Sequence, residues 1–155
     1  MHFRIQGLDP ARFRSLFGAD TATLAARGIE RHVADVTPGY PDRIELRDAE
    51  PGESLLLLNY MHQEADTPYR ASHAIYVLEN ARERYDRVDE VPDVLRRRLL
   101  SLRAFDATHH LVDADVIDGR EAEATLLRLL ANPRVDYLHA HYAKPGCFAA
   151  RVDRA

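Results

Sequence analysis

Hydrophobic positions along this chain change spacing several times, and each change marks the boundary of an element. The longest apolar run, Leu55, Leu56, Leu57 and Leu58 within residues 54–62, is unbroken rather than alternating. It predicts a strand buried on both faces and central in its sheet. Shorter runs rich in β-branched, aliphatic and aromatic residues predict strands at residues 3–6, 29–36, 43–47, 73–78, 99–105 and 111–117. At the C-terminus, residues 135–142 and 147–152 flank Ala143, Lys144, Pro145 and Gly146, which predicts a hairpin. Apolar residues at helical spacing are fewer. Asp9 and Pro10 open a helix that turns Phe13, Leu16 and Phe17 inward and stops at Gly18. A second short helix over residues 21–27 has only Leu24 as a large anchor. Residues 92–97 suit two helical turns, although the choice between helix and strand over 95–102 stays open. Residues 81–90 are charged and aperiodic, which predicts a surface loop. Asp118 and Glu121 form a capping-box pattern ahead of the stripe Ala122, Leu126, Leu129 and Leu130, and that helix ends at Asn132-Pro133. The pattern predicts an α+β domain with a mostly antiparallel sheet of about nine strands, able to curl toward a barrel. Its helices fall near the start and before the C-terminal hairpin.

A chain of 155 residues fits one domain spanning 1–155. Hydrophobic residues at 46% and charged residues at 30% fit a soluble globular protein. The net charge of −4 argues against nucleic acid as a partner, which calls for a basic stripe. Arg96, Arg97 and Arg98 are the one basic run and read as a solvated face. The single cysteine, Cys147, leaves no intramolecular disulfide and suits a reducing compartment. With so short an apolar maximum, a membrane span or secretion leader is not expected, and the reading is cytoplasmic.

The chemistry concentrates in the hairpin. Period two puts Val135, Tyr137, His139 and His141 on one face, with Leu138, Ala140 and Tyr142 on the other. What shares the histidine face depends on the turn. An even number of unpaired residues brings Phe148, Ala150 and Val152 there; an odd number brings Cys147, Ala149 and Arg151. Lys144-Pro145-Gly146-Cys147 suits a type II turn, which favours the even case and an apolar wall beside His139. Burial against such a wall would keep the ring neutral. Three chemistries can use these residues. His139 and His141 could hold a divalent metal, with His62, His73, Glu64 or Asp66 as third ligand; otherwise they hydrogen-bond neighbours in the core. Tyr69 with Arg70, Arg103, Lys144 and Arg151 could line a pocket for an anion, since guanidinium pairs with carboxylate or phosphate. Cys147 could act as a nucleophile if His141 served as its base; otherwise it is a small packed side chain. Catalytic triads, phosphate-binding glycine loops and zinc-ribbon cysteine pairs are absent from the sequence.

Residues 55–60, Thr67-Pro68-Tyr69-Arg70, residues 99–106 and residues 135–151 with Gly146-Cys147 resemble the bacterial domain-of-unknown-function family 1203. The resemblance covers nearly the whole chain. It implies no assigned activity, but it does imply a shared histidine like His139, the Gly-Cys pair and an arginine like Arg151. His62 and His73 fall outside that shared pattern. The expected function is binding or hydrolysis of a small anionic metabolite among the His, Tyr and Arg side chains. The alternative is a non-catalytic interaction module, for instance a homodimer built on an exposed strand edge or the leucine-striped helix.

Overall fold

The computed structural model describes residues 1–155 and contains nine strands in two antiparallel sheets with three α-helices. The strands are β1 (Phe3–Gln6), β2 (Glu30–Val33), β3 (Ser54–Gln63), β4 (Ala71–Leu78), β5 (Asp86–Val88), β6 (Leu99–Phe105), β7 (Leu111–Asp118), β8 (Tyr137–Tyr142) and β9 (Phe148–Arg154). The helices are α1 (Thr21–Ala26), α2 (Asp93–Arg96) and α3 (Ala122–Leu130). Six strands form the larger sheet in the order β5-β1-β9-β8-β6-β7, and the smaller sheet runs β2-β3-β4. Neither closes on itself, so the barrel-like expectation gives way to two open sheets.

Each face of the larger sheet is covered differently. One face carries Leu100, Leu102, Ala104, Leu138, Ala140 and Val152, and these pack against Ala122, Leu126, Leu129 and Leu130 of α3. The stripe that predicted α3 is therefore the stripe it buries. The other face meets the smaller sheet, whose Leu56, Leu58, Ile75 and Val77 share a separate cluster with Phe148. The leucine run is central, as its unbroken pattern predicted, with Leu55 and Leu56 fully buried. The run and the α3 stripe nevertheless serve two cores, not one, because the larger sheet stands between them.

Several elements differ from expectation for local reasons. Residues 9–17 form two 3-10 turns, Pro10–Arg12 and Arg14–Leu16, in place of one helix; so short a segment gains little from helical cooperativity. Asp9 and Pro10 keep their predicted capping roles. The strand expected at 43–47 is absent. The buried Asp42 carboxylate accepts the backbone N–H of Leu78 at 2.7 Å and that of Glu45, which bends the chain into a turn. Its place in the count is taken by β5, inside the stretch expected to be a loop. There Arg4 and Asp86 pair across the β1–β5 edge at 2.6 Å. The segment 29–36 keeps strand pairing only over β2. The open choice at 95–102 resolves into a single helical turn, α2, followed by β6. Asp118 caps a 3-10 turn, accepting from Arg120 N, and the α-helix starts just beyond it.

Candidate functional site

The hairpin resolves the question of parity in both senses. Tyr142 N donates to Cys147 O at 3.0 Å, so four residues are unpaired at the turn; Gly146 takes φ +78°, the left-handed region that favours glycine, and its N–H closes the turn on Tyr142 O at 2.8 Å. His141 accordingly pairs with Phe148, the even case. Between Ala140 and His141 the register then shifts, because Ala149 is an extra residue on β9; from there His139 pairs with Arg151, the odd case. Phe148 and Arg151 lie three residues apart, yet this bulge lets both share the histidine face. The apolar wall expected beside His139 is thus half right: Phe148 lies edge-on at 5.1 Å between ring centroids, while the ladder partner is an arginine.

A second bulge faces the first. On β3 His62 is the extra residue between the pairs Met61–Ser72 and Gln63–Ala71. Two consecutive side chains therefore turn toward the larger sheet. His62 stacks on Phe148 at 5.4 Å, with its ring centroid 4.9 Å from His141 and 6.0 Å from His139. Gln63 reaches Tyr137 Oη, donating at 2.8 Å, and the same hydroxyl lies 2.9 Å from His109 Nδ1. Arg103 pairs with His139 in the β6–β8 register, and its only hydrogen-bond partner is Ser101 Oγ at 3.3 Å.

Burial controls the charge of this cluster. Desolvation, helped by the His141 and His62 rings and by Arg151 and Arg103, pushes His139 down to about 2. Desolvation and then Arg103 bring His141 to about 3, and the same two causes bring the half-buried His62 to about 4. All three rings are neutral at neutral pH. His141 Nδ1 meets Gly146 O at 3.0 Å, but the buried Nδ1 atoms of His62 and His139 have no protein partner. No group of three or more His, Cys, Asp or Glu side chains is arranged to hold a metal ion.

The other candidates divide. Arg151 lies over the Tyr137 ring at 4.1 Å and pairs with Asp153. Tyr69 packs edge-on against Phe105 and His110, so it touches the histidine cluster only through Phe105, and Arg70 is exposed. Cys147 is buried on the opposite side from His141, in the α3-side core. The four-residue turn sets His141 opposite Phe148 and leaves Cys147 opposite Tyr142, so base and thiol face apart.

Cys147 has a partner that the pattern did not show. Arg43 is 1% exposed, and its Nη2 donates to Cys147 Sγ at 2.9 Å, its Nε to Phe148 O at 2.8 Å and its Nη1 to Pro41 O. No carboxylate takes any of these bonds. Arg43 and Arg98 both lie over the Tyr142 ring, at 5.0 and 5.2 Å, and the buried Tyr142 hydroxyl has no partner. Desolvation pushes that phenol up to about 12, so it stays a donor. A cleft of about 540 Å³ opens here between the sheets, with Arg43, Arg97, Arg98, Lys144, His73 and Cys147 on its walls. Asp48 neutralises Arg98 at 3.0 Å and lies 3.5 Å from Arg97. The expected solvated arginine face is partly a cleft wall. Gly7 helps to place Arg43: a Cβ there would lie 2.0 Å from Ile44 O, and Leu8 N donates to Arg43 O.

Residues 39–154, from the Arg43 turn through the C-terminal hairpin, match the family described as "Protein of unknown function (DUF1203)". The chain belongs to this family. The DUF1203 match takes in every residue that builds the cleft and the histidine cluster. No curated protein and no solved structure matches this DUF1203 chain.

Proposed function

We propose that the cleft beneath the hairpin turn binds a small anionic metabolite, with Arg43 as the primary contact and Tyr142, Lys144 and Arg97 around it. The carrying observation is Arg43 itself. A guanidinium 1% exposed, bonded only to two carbonyls and a thiol, is a buried charge without its counter-charge. Such a charge is costly unless an anion meets it. The orphaned Tyr142 hydroxyl beside it supplies a second donor. Binding is favoured over hydrolysis because Cys147 and His141 face apart and form no nucleophile–base pair. It is favoured over an interaction module because the exposed large apolar residues, such as Val33, Val88, Leu99 and Val116, are spread over four strands. Calorimetric titration with phosphate, acetate and longer carboxylates tests the reading. Lys144→Ala and Tyr142→Phe should each weaken binding, and Arg43→Met should weaken it by roughly tenfold to a hundredfold, as loss of a hydrogen bond to a charged group implies. Absence of binding by any of these anions, or unchanged affinity in all three variants, would overturn it.

A further inference from the structure

Two leucines, Leu57 and Leu99, belong to neither core. Leu55, Leu56 and Leu58 are buried, but Leu57 among them is half-buried, and Leu99 at the start of β6 is 46% exposed. Both line the cleft at the hairpin turn, Leu57 from the smaller sheet and Leu99 from the larger. Leu57 is the ladder partner of Tyr76, which lines the cleft as well, so these two side chains lie side by side on one face. Pro41 and Pro145 add further apolar surface. The unbroken leucine run thus holds one position that neither core covers.

The charged lining has a single sign. Arg43, Arg97, Arg98 and Lys144 line the cleft and no Asp or Glu does; Asp48, which pairs with Arg97 and Arg98, is not on its walls. Arg43 uses three of its five N–H groups on Phe148 O, Pro41 O and Cys147 Sγ, which leaves one on each terminal nitrogen. A volume of about 540 Å³ falls in the range of sites that enclose organic ligands, well beyond what a bare inorganic anion fills.

We propose that the ligand is an amphipathic carboxylate, its head on the free N–H groups of Arg43 and its apolar body against Leu57, Tyr76 and Leu99. This rests on the anion-binding reading given above and names the class of ligand. A carboxylate suits the head position because its two oxygens can take one N–H each. An apolar body is called for because a bare anion leaves Leu57 and Leu99 facing water, whereas an alkyl chain buried there gains about fourfold in affinity for each methylene.

Calorimetric titration with acetate, butyrate, hexanoate and octanoate, and with hexanamide as the uncharged control, provides the test. Affinity should rise along the series, by at least about thirtyfold from acetate to hexanoate, and hexanamide should bind at least about tenfold more weakly than hexanoate. Leu57→Thr and Leu99→Thr, both outside the cores, should each lower the ratio of hexanoate to acetate affinity by about threefold or more. If acetate or phosphate binds but affinity stays flat along the series, or if both variants keep the full ratio, the amphipathic ligand is excluded and the anion-binding reading survives. If hexanamide binds as tightly as hexanoate, or if no anion binds, both fail.

Discussion

At the scale of single residues, the histidines set an acid limit on stability. His139, His141 and His62 are held below their unfolded value near 6.5, at about 2, 3 and 4. The unfolded chain therefore binds more protons below pH 6.5, and the stability they contribute, fully present above that pH, is lost as pH falls toward the folded values. Asp42 works the other way. Desolvation raises it to about 6, so its contribution is present at low pH and lost as pH rises through that value. With His139 and His141 both buried and His62 discounted for its exposure, the histidines outweigh one carboxyl. The melting temperature should drop by roughly 5–10 °C per pH unit between about pH 6 and 4. His139→Leu should flatten that slope without lowering the melting temperature at neutral pH, because it removes an unpartnered ring nitrogen. A wild-type melting temperature constant from pH 7 to 5 would contradict this account. Part of the cluster was legible in sequence: period two put His139 and His141 on one face. Arg43 was not legible, because nothing in residues 40–47 signals that a buried carboxylate at Asp42 bends the chain and sends the next side chain inward.

At the scale of elements, close backbone approach fixes where α2 ends. Gly119 lies against it, and a Cβ there would meet Leu95 O at 2.0 Å and Arg98 O at 2.6 Å. Gly119 N also donates to Arg98 O at 2.9 Å. Backbone oxygens cannot swing aside, so Gly119→Ala should destabilise the fold by about 2 kcal/mol or more, read by urea titration. It should also weaken anion binding, since Arg97 and Arg98 ride on that segment. A variant as stable as wild type would mean that α2 shifts freely. Element types were mostly legible where a pattern ran long, as in β3, β6, β8 and α3. They failed where the chain is short or charged. β5 is three residues at a sheet edge, where pairing with β1 rather than hydrophobic alternation makes the strand.

At the scale of the whole molecule, two cores lie on either side of one sheet, and the proposed site lies between that sheet and the smaller one. A ligand there binds only when both sheets are in place, so it stabilises their docking by mass action. At about a hundredfold excess over Kd the gain is about 2.7 kcal/mol, or roughly 5–10 °C in melting temperature. Hydrogen exchange should slow most in β3 and β4, whose docking the ligand secures, and least at the exposed ends of β7. Equal slowing everywhere would indicate that the two sheets already open as one unit. That Leu58 and Leu126 belong to different cores was not legible, because hydrophobic periodicity marks a buried face without saying what covers it. No helix of the chain is long and apolar enough to cross a membrane.

The bulge at Ala149 has a consequence for how such chains can drift. One residue gained or lost in a strand ordinarily inverts which side chains look inward from that point on. Here the inversion is already built in, and it is what brings an aromatic and a guanidinium to the same two imidazoles. Length is therefore constrained between Phe148 and Arg151 even where residue identity is free. The spacing between those two side chains is as much part of the site as the side chains themselves.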